Sequence, residues 1–475
     1  MNPPCFLAFL SLFGCTQPGR DSTDPDAVGA ARTVVIITVD TVRPRILHGA
    51  GRDWEVSPTV EAFQRDAVWL RRTWTPRGLT TVALASLLTG TYPRTHHVRS
   101  DEDLALLTGP TIADRFHDLG YLTLGFTANG GGLLAFGFDE ATTAHERDPD
   151  TVPDDQDEIA QVANDQLLLE TFTARFATLA ATDKVFAWVH LNLPHSPYYE
   201  LSPWYQQFHP GTYEGPLDTT DKSSLNLVTA GALPFDDDDR EHLEAVYASE
   251  LREADDTVAG LLMALQDAGR YDDGVVVLGA DHAEEMGDHN DYFFHDCSPY
   301  DSVIGVEYAI RAPGRWPLGR TVDAPVSVVD IAPTILDLSA AGPWDGDQAG
   351  ASLVGDILDD RPPARDVFFE RGVQTAGIVR GDWKYILSPE GGFDLCAPYS
   401  GADDLVYANQ VEELYHLALD PDEAENLAGT EDGARSSLSE ATCAWVQSAD
   451  WAPADSGDGG PLLTWCAEHW PAAAD

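Results

Sequence analysis

Four side chains in this sequence have the types and settings to hold a divalent metal beside an anion. Asp40 closes the β-branched run Thr33-Val34-Val35-Ile36-Ile37-Thr38-Val39, and Asp281-His282 closes Val275-Val276-Val277-Leu278-Gly279-Ala280. Such runs read as buried parallel strands, and open α/β sheets gather their ligands just beyond the carboxyl ends of strands. Carboxylate oxygen and imidazole nitrogen suit Mn²⁺, Zn²⁺ or Ca²⁺, and the residue types do not choose among them. The fourth is Thr80, within Gly78-Leu79-Thr80-Thr81-Val82-Ala83-Leu84-Ala85-Ser86-Leu87-Leu88-Thr89-Gly90. Ala, Leu and Ser favour a helix here, with Thr80 or Thr81 as the expected N-cap and Gly90, followed by Pro93, as the stop. A hydroxyl at a helix N-terminus lies where backbone N–H groups and the helix dipole favour an anion.

The elements that must position these groups alternate between strand and helix. Strands are expected at residues 33–39, 121–127, 185–192, 275–279 and 307–311, and helices from 57, over 111–119, 156–181 and 240–267, and from 326. Leu243, Val246, Leu251, Val258 and Leu262 recur with helical period in the longest of these. This alternation argues for a doubly wound α/β sheet. Residues 200–239 read as an acidic, loop-rich excursion beside the site. From about residue 362 short strands at 367–369, 375–379 and 383–387, with 412–417 preceding a turn at 420–422, form a small α+β unit, and the tail from Trp451 reads as loop.

The charge balance excludes some partners. Among 475 residues, 28 basic against 79 acidic side chains give 28 − 79 = −51. That surface repels nucleic acid and anionic headgroups, and it suits a solvated coat tolerant of high salt. Lysine occurs only at Lys184, Lys222 and Lys384. The N-terminal apolar run, Phe6 to Phe13, is too short for a membrane span and suits a signal h-region, although no Lys or Arg precedes it. It ends in Leu12-Phe13-Gly14-Cys15, which resembles a bacterial lipoprotein processing site with Cys15 lipidated. The expectation is an exported lipoprotein of the periplasm or outer membrane, or else a secreted protein. Any membrane contact would then be through an N-terminal lipid anchor. Of six cysteines, Cys396, Cys443 and Cys466 lie near the C-terminus, which suits one disulfide whose pairing the spacing leaves open.

Ordered motifs add a resemblance to the sulfatase family of the alkaline phosphatase superfamily. Val39-Asp40-Thr41-Val42-Arg43 is similar to the family's first metal motif, residues 85–93 to "ALLTGxYP", and 194–198 to "PHxPY". Residues 281–289 resemble "DHGEExGEH", 299–314 "LYEExxRVPLIIRGPG", and 330–336 "DIxPTLL". The stretches 379–386 and 413–427 resemble "RxxxYKLI" and "ELYDLxxDPxExxNL". The implied fold is α/β: an alkaline-phosphatase/sulfatase-like doubly wound mixed sheet with a small C-terminal α+β subdomain. The implied organisation is a signal and lipobox over 1–15, a tether over 16–32, a catalytic domain over 33–345 and a subdomain over 346–475.

The departures from that pattern set the expected chemistry. The family's nucleophile position, Cys or Ser converted to formylglycine, is occupied by Thr80, and the box residues after it are Val82, Ala83 and Leu84. Threonine carries a methyl on Cβ, so oxidation would give a ketone in place of the aldehyde, and no formylglycine is expected. The usual Asp pair is Asp40-Thr41, and both basic groups of the family's "GKxH" are missing near Ala128 and Gly130. Asp40, Thr80, Asp281 and His282 instead resemble the one-metal site of lipoteichoic acid synthases and phosphoethanolamine transferases. The resemblance implies a metal-bound Thr80 as nucleophile, one divalent ion (Mn, Zn or Ca) and a phosphate or sulfate ester, with the phosphoester favoured. The substrate would be an anionic ester, of glycan or lipid-headgroup type. The alternatives are an arylsulfatase-like enzyme using unmodified Thr80, or a non-catalytic glycan-binding lipoprotein.

The same resemblance makes His195 and His295 substrate-binding groups able to hold the anion or protonate the leaving oxygen, with Asn129 as a further contact. His96, His97, His190 and His289 read as supporting residues, and Asp114 and His117 as solvated polar groups. Asp238 and His242 have the i, i+4 spacing of a second metal site, but they fall in the acidic run, and one metal is expected.

Overall fold

The computed structural model describes residues 29–128, 136–144, 157–201, 203–220, 222–289, 292–296, 298–342, 349–390, 410–448 and 460–471. In chain order its strands are β1 (Thr33–Val39), β2 (Val68–Trp74), β3 (Leu122–Thr127), β4 (Glu140–Thr143), β5 (Val185–Leu191) and β6 (Val275–Ala280). A short ribbon follows, β7 (Glu285–Met286) and β8 (Phe293–Phe294), then β9 (Gly305–Arg311), β10 (Arg320–Val322) and β11 (Val326–Ser327). The last four are β12 (Val367–Arg371), β13 (Thr375–Arg380), β14 (Trp383–Leu387) and β15 (Glu412–His416).

β1 is buried at every position because it runs parallel between β5 and β6, with helices covering both faces. The central sheet has the order β10-β2-β9-β6-β1-β5-β3-β4, with β11 also on β2. β9 alone runs against its neighbours, so the sheet is mixed, as expected. Against one face lies the helix Asp237–Asp267, in which Leu243, Val246, Leu251, Val258 and Leu262 are all buried. Its start corrects the acidic-loop expectation. Asp236 is the N-cap, accepting from the Asp238 and Asp239 N–H groups, while Asp239 accepts from the Asp236 N–H. The carboxylates therefore satisfy orphan donors and meet the positive end of the helix dipole. The same excursion contains two more helices, Trp204–Phe208 and Lys222–Thr229.

β2 had no sequence signal. A register shift between Leu70 and Thr73 turns Arg71 and Arg72 outward and breaks the alternation that would mark a strand. Residues 326–334 open as strand and a 3₁₀ turn before the helix Ile331–Leu338, and not directly as helix.

The C-terminal sheet, β12-β13-β14-β15, is antiparallel throughout. Two buried ion-pair clusters join it to short helices that flank the main sheet. Arg94 binds Glu370 through its backbone N–H at 2.6 Å and Nε at 3.1 Å, with its guanidinium 3.3 Å from the Trp445 ring centroid. Lys384 Nζ lies 2.6 Å from Asp301 and 2.8 Å from Glu423, fully buried. The tail departs from the loop expectation. Gly460–His469 is a helix, joined to Asp432–Gln447 by a disulfide between Cys443 and Cys466. Cys297, Cys396 and the N-terminal 1–28 lie outside the described residues. Among the described residues no helix is long and apolar enough to cross a membrane.

A cross-link over 23 residues restricts the unfolded chain, so Cys443→Ser is expected to lose about 3 kcal/mol of stability. Urea denaturation of wild type and variant, both without reductant, measures it. Equal midpoints would show that the bond contributes nothing.

Candidate active site at the carboxyl edge of the sheet

Asp40 and Asp281 are level because Val39 of β1 pairs with Ala280 of β6. Ligand atoms of Asp40, Asp281 and His282 lie within 4.8 Å of one another, and all three residues are buried. Asp281 Oδ1 accepts the backbone N–H groups of Thr41 (3.2 Å) and His282 (2.8 Å). Its Oδ2 accepts no hydrogen bond, which leaves a buried carboxylate oxygen aimed at the cluster. His282 Nδ1 lies 2.9 Å from the Ala283 carbonyl, so that nitrogen carries the proton and Nε2 keeps its lone pair. Nε2 is 3.4 Å from Asp281 Oδ2 and 3.8 Å from Asp40 Oδ1. Burial and the neighbouring Asp40 charge push the Asp281 carboxyl up. Two carboxylates and an imidazole lone pair crowded in a dry site are costly unless a cation joins them. The donor set fits a divalent metal.

The sequence places Thr80 here, but not as a cap. The helix Thr80–Thr89 has Leu79 as N-cap with no side-chain bond, and Gly90 ends it in the left-handed region at φ 63°. Thr80 Oγ1 is therefore not spent on the helix terminus. It lies 3.1 Å from His282 Nε2, buried within the cluster. Gly78 sets the approach, since a Cβ there would come within 2.1 Å of Val303.

His195 and His295 join the same site. Their rings are 5.2 Å apart, and His295 is 4.5 Å from the His282 ring. His195 Nδ1 lies 2.8 Å from the Ser196 carbonyl. Burial pulls His195 down to about 4, keeping it neutral. Burial opposes charge on His295 too, but the Glu284 carboxylate, 2.9 Å from Nδ1, outweighs it and raises His295 to about 9. Asn129 lies outside the described residues. His242 meets Tyr205 OH at 2.9 Å, and neither it nor Asp238 joins a three-ligand group among the described residues.

Supporting residues complete the setting. His190 bridges Thr38 Oγ1 (2.9 Å) and Asp40 Oδ2 (3.5 Å). Arg43 holds Asp288 through two hydrogen bonds, 2.7 and 3.0 Å. Tyr247 OH accepts from the Arg43 N–H and donates to the Thr41 carbonyl, pinning a loop in which Thr41 sits at φ 54°. Asp114 caps its helix and His117 pairs with Asp139 at 2.7 Å, so neither is merely solvated. Sequence reasoning missed Glu284, although it had a signal, its place two residues after His282 in a family motif.

This architecture has relatives. Residues 32–341 match the family model described as sulfatase. An ulvan-active sulfatase of Formosa agariphila is 26% identical over 359 residues, covering 71% of this chain and 67% of that protein. Zebrafish arylsulfatase K is 27% identical over 204 residues, 41% of this chain, so the chain spans 35% of that relative. A phosphonate monoester hydrolase of Silicibacter pomeroyi superposes with TM-score 0.67 at 21% identity, covering 88% of this chain and 94% of its own. One of Agrobacterium radiobacter gives 0.64 at 21% identity, over 85% and 92%. The chain belongs to the sulfatase family, a family of ester hydrolases in the alkaline phosphatase superfamily.

His96 anchors the Thr80 helix. Its Nδ1 accepts the Val98 N–H at 3.1 Å, so Nε2–H donates to Ser86 Oγ at 3.0 Å, and Ser86 donates to the Val82 carbonyl. Burial, then the nearby His97 and Arg99, lower His96 to about 3 from 6.5. The unfolded chain therefore binds the proton first, and stability falls as pH drops through 6.5 toward 3, by ~1.4 kcal/mol per pH unit. His96→Gln lacks this titration. Between pH 7 and pH 5 the wild type should lose about 2 kcal/mol relative to that variant in urea denaturation; a constant difference would refute it.

Proposed function

We propose that the protein is a metal-dependent ester hydrolase with Thr80 Oγ1 as nucleophile. In this reading Asp40, Asp281 and His282 hold one divalent ion with Thr80, and the substrate is a phosphate or phosphonate ester. The observation that carries the reading is the uncapped Thr80 hydroxyl, 3.1 Å from a histidine nitrogen whose lone pair is free of its other hydrogen bond.

A divalent cation bound there would stabilise negative charge developing on the oxygens of the reacting group. Thr80 Oγ1 gives up its proton to solvent water and bonds to phosphorus as the bond to the leaving oxygen breaks. His295, kept protonated by Glu284, binds the anion and can donate a proton to that leaving oxygen. Water then cleaves the threonyl ester and restores the hydroxyl. Thr80 cannot become an aldehyde, so the hemiacetal route that frees sulfate by C–O cleavage is closed. A threonyl sulfate would need water to attack sulfur. Fold similarity to phosphonate monoester hydrolases agrees with the phosphorus preference.

A second reading, sulfate ester hydrolysis with unmodified Thr80, is favoured by the named sulfatase relatives. A glycan ester would fit either, since one fold neighbour was crystallised with D-glucosamine-2-N,6-O-disulfate as its substrate. The net charge of −51 argues against nucleic acid as substrate. Export through the N-terminal leader, with a lipid on Cys15, is part of the same proposal.

Turnover of p-nitrophenyl phosphate, bis-p-nitrophenyl phosphate, a p-nitrophenyl phosphonate and p-nitrophenyl sulfate with Mn²⁺, Zn²⁺ or Ca²⁺ separates these readings. Thr80→Ala should lower kcat by ~10³-fold or more on the preferred ester. Turnover of the sulfate ester alone would sink the phosphorus assignment. No turnover, with Thr80→Ala behaving as wild type, would point to a binding protein. Elemental analysis should give one metal per chain, weakened ~100-fold in affinity by Asp281→Asn; two equivalents would overturn the single-metal site.

A further inference from the structure

His295 sits between two residues in the left-handed region, Phe294 at φ 75° and Asp296 at φ 71°. Aspartate tolerates that region, but a bulky phenylalanine persists there only where its surroundings hold it. One hold comes from the segment after His282: Glu285 pairs with Phe294 in the short ribbon, and Glu284 Oε1 lies 2.9 Å from His295 Nδ1.

The other hold comes from the loop that carries Thr80. Arg77, three residues before Thr80, donates from Nε to Asp296 Oδ1 at 2.7 Å and from Nη1 to the Arg99 carbonyl at 2.7 Å. Both side chains of the pair are mostly buried. The base of Arg77 is fixed as well. The Thr75 N–H donates to the Ile304 carbonyl at 2.9 Å, the Glu370 N–H donates to the Pro76 carbonyl at 3.0 Å, and Gly78 leaves no room for a Cβ beside Val303. A guanidinium held at its base and along its planar fork is a rigid arm. Asp296, and with it the turn that carries His295, takes its place from that arm.

We propose that Arg77 is a positioning residue: through Asp296 it ties the His295 turn to the Thr80 loop and sets where the histidine ring stands relative to the nucleophile. This rests on the proposed hydrolase reading, in which His295 binds the anion. Arg77 acts through His295 and touches no substrate itself.

The test is calorimetric titration of the metal-loaded full chain with inorganic phosphate and inorganic sulfate, in the wild-type and His295→Ala backgrounds. Arg77→Ala should weaken anion binding by about 10-fold or more in the first and by less than about twofold in the second. Equal weakening in both backgrounds, or none in the first, would overturn the proposal. The double variant Arg77→Ala/Asp296→Ala removes both charges together and should stay as weak as Arg77→Ala. Recovery to wild-type affinity would also overturn it, because the defect would then come from a carboxylate left without its partner. Asp296→Gly accepts the left-handed backbone without a side chain and should be as weak as Arg77→Ala; wild-type affinity there would show that backbone shape, and not the ion pair, holds the turn. Where Arg77→Ala does not fold, Arg77→Gln takes its place, since it keeps much of the stem. Where the His295→Ala background binds too weakly to titrate, the double variant and Asp296→Gly decide. If the wild type binds the anions and turns over no ester, the hydrolase reading fails by itself and the titrations still decide Arg77. If it binds neither anion, both fail.

Discussion

Everything at the active site depends on one pairing register. Val39 sits opposite both Leu191 and Ala280, so the residues leaving β1 and β6 emerge side by side. Side chains alternate along a strand, and a one-residue slip of β6 would turn Asp281 to the other face of the sheet. Gly279 opposes such a slip, because a Cβ there would come within 2.4 Å of the Tyr308 ring, and a slip would bring Leu278 or Ala280 into its place. The hydrophobic core thus sets the spacing of two carboxylates that would otherwise repel each other.

Local bonds refine what the register begins. Asp281 spends one oxygen on two backbone N–H groups and keeps the other toward the cluster. His282 spends Nδ1 on a carbonyl, and Thr80 is relieved of capping by Leu79. Each of these side chains has one atom tied to the backbone or no tie at all, so the remaining atom is directed by geometry and not by chance. Farther out, Arg94–Glu370 and Lys384–Asp301–Glu423 dock the C-terminal sheet beside the loops of the site. Being buried, those pairs specify one orientation more than they add stability.

How much of this the sequence disclosed follows from the range of the forces involved. β1, β5 and β6 were legible because doubly covered parallel strands must be continuously apolar. The Asp40, Asp281 and His282 positions followed from those strands and from motif resemblance. β2 escaped because its bulge turns two arginines outward. The start of the helix Asp237–Asp267 escaped because its acidic residues look like solvated loop until Asp236 is seen accepting backbone N–H groups, and Trp204–Phe208 and Lys222–Thr229 are too short to show a period. Motif resemblance marked Thr80 as the nucleophile position; the accompanying expectation of Thr80 or Thr81 as N-cap fails because Leu79 takes that place. Glu284 matters through His295, 11 residues on, and only its place in the motif after His282 marks it.

The scarcity of lysine has a practical consequence for chemical modification. Lys384 is sealed between Asp301 and Glu423, and Lys184 stands on the surface. Lys222 is the third, and burial lowers its pKa, so a larger share of it is neutral amine at a given pH. An acylating reagent therefore has two side-chain targets of different character in the folded protein, one ordinary and one beside the active site. Its Nζ lies 5.3 Å from the ring of Phe294, the residue before His295, so a label there would report on that side of the candidate site without any substrate being known.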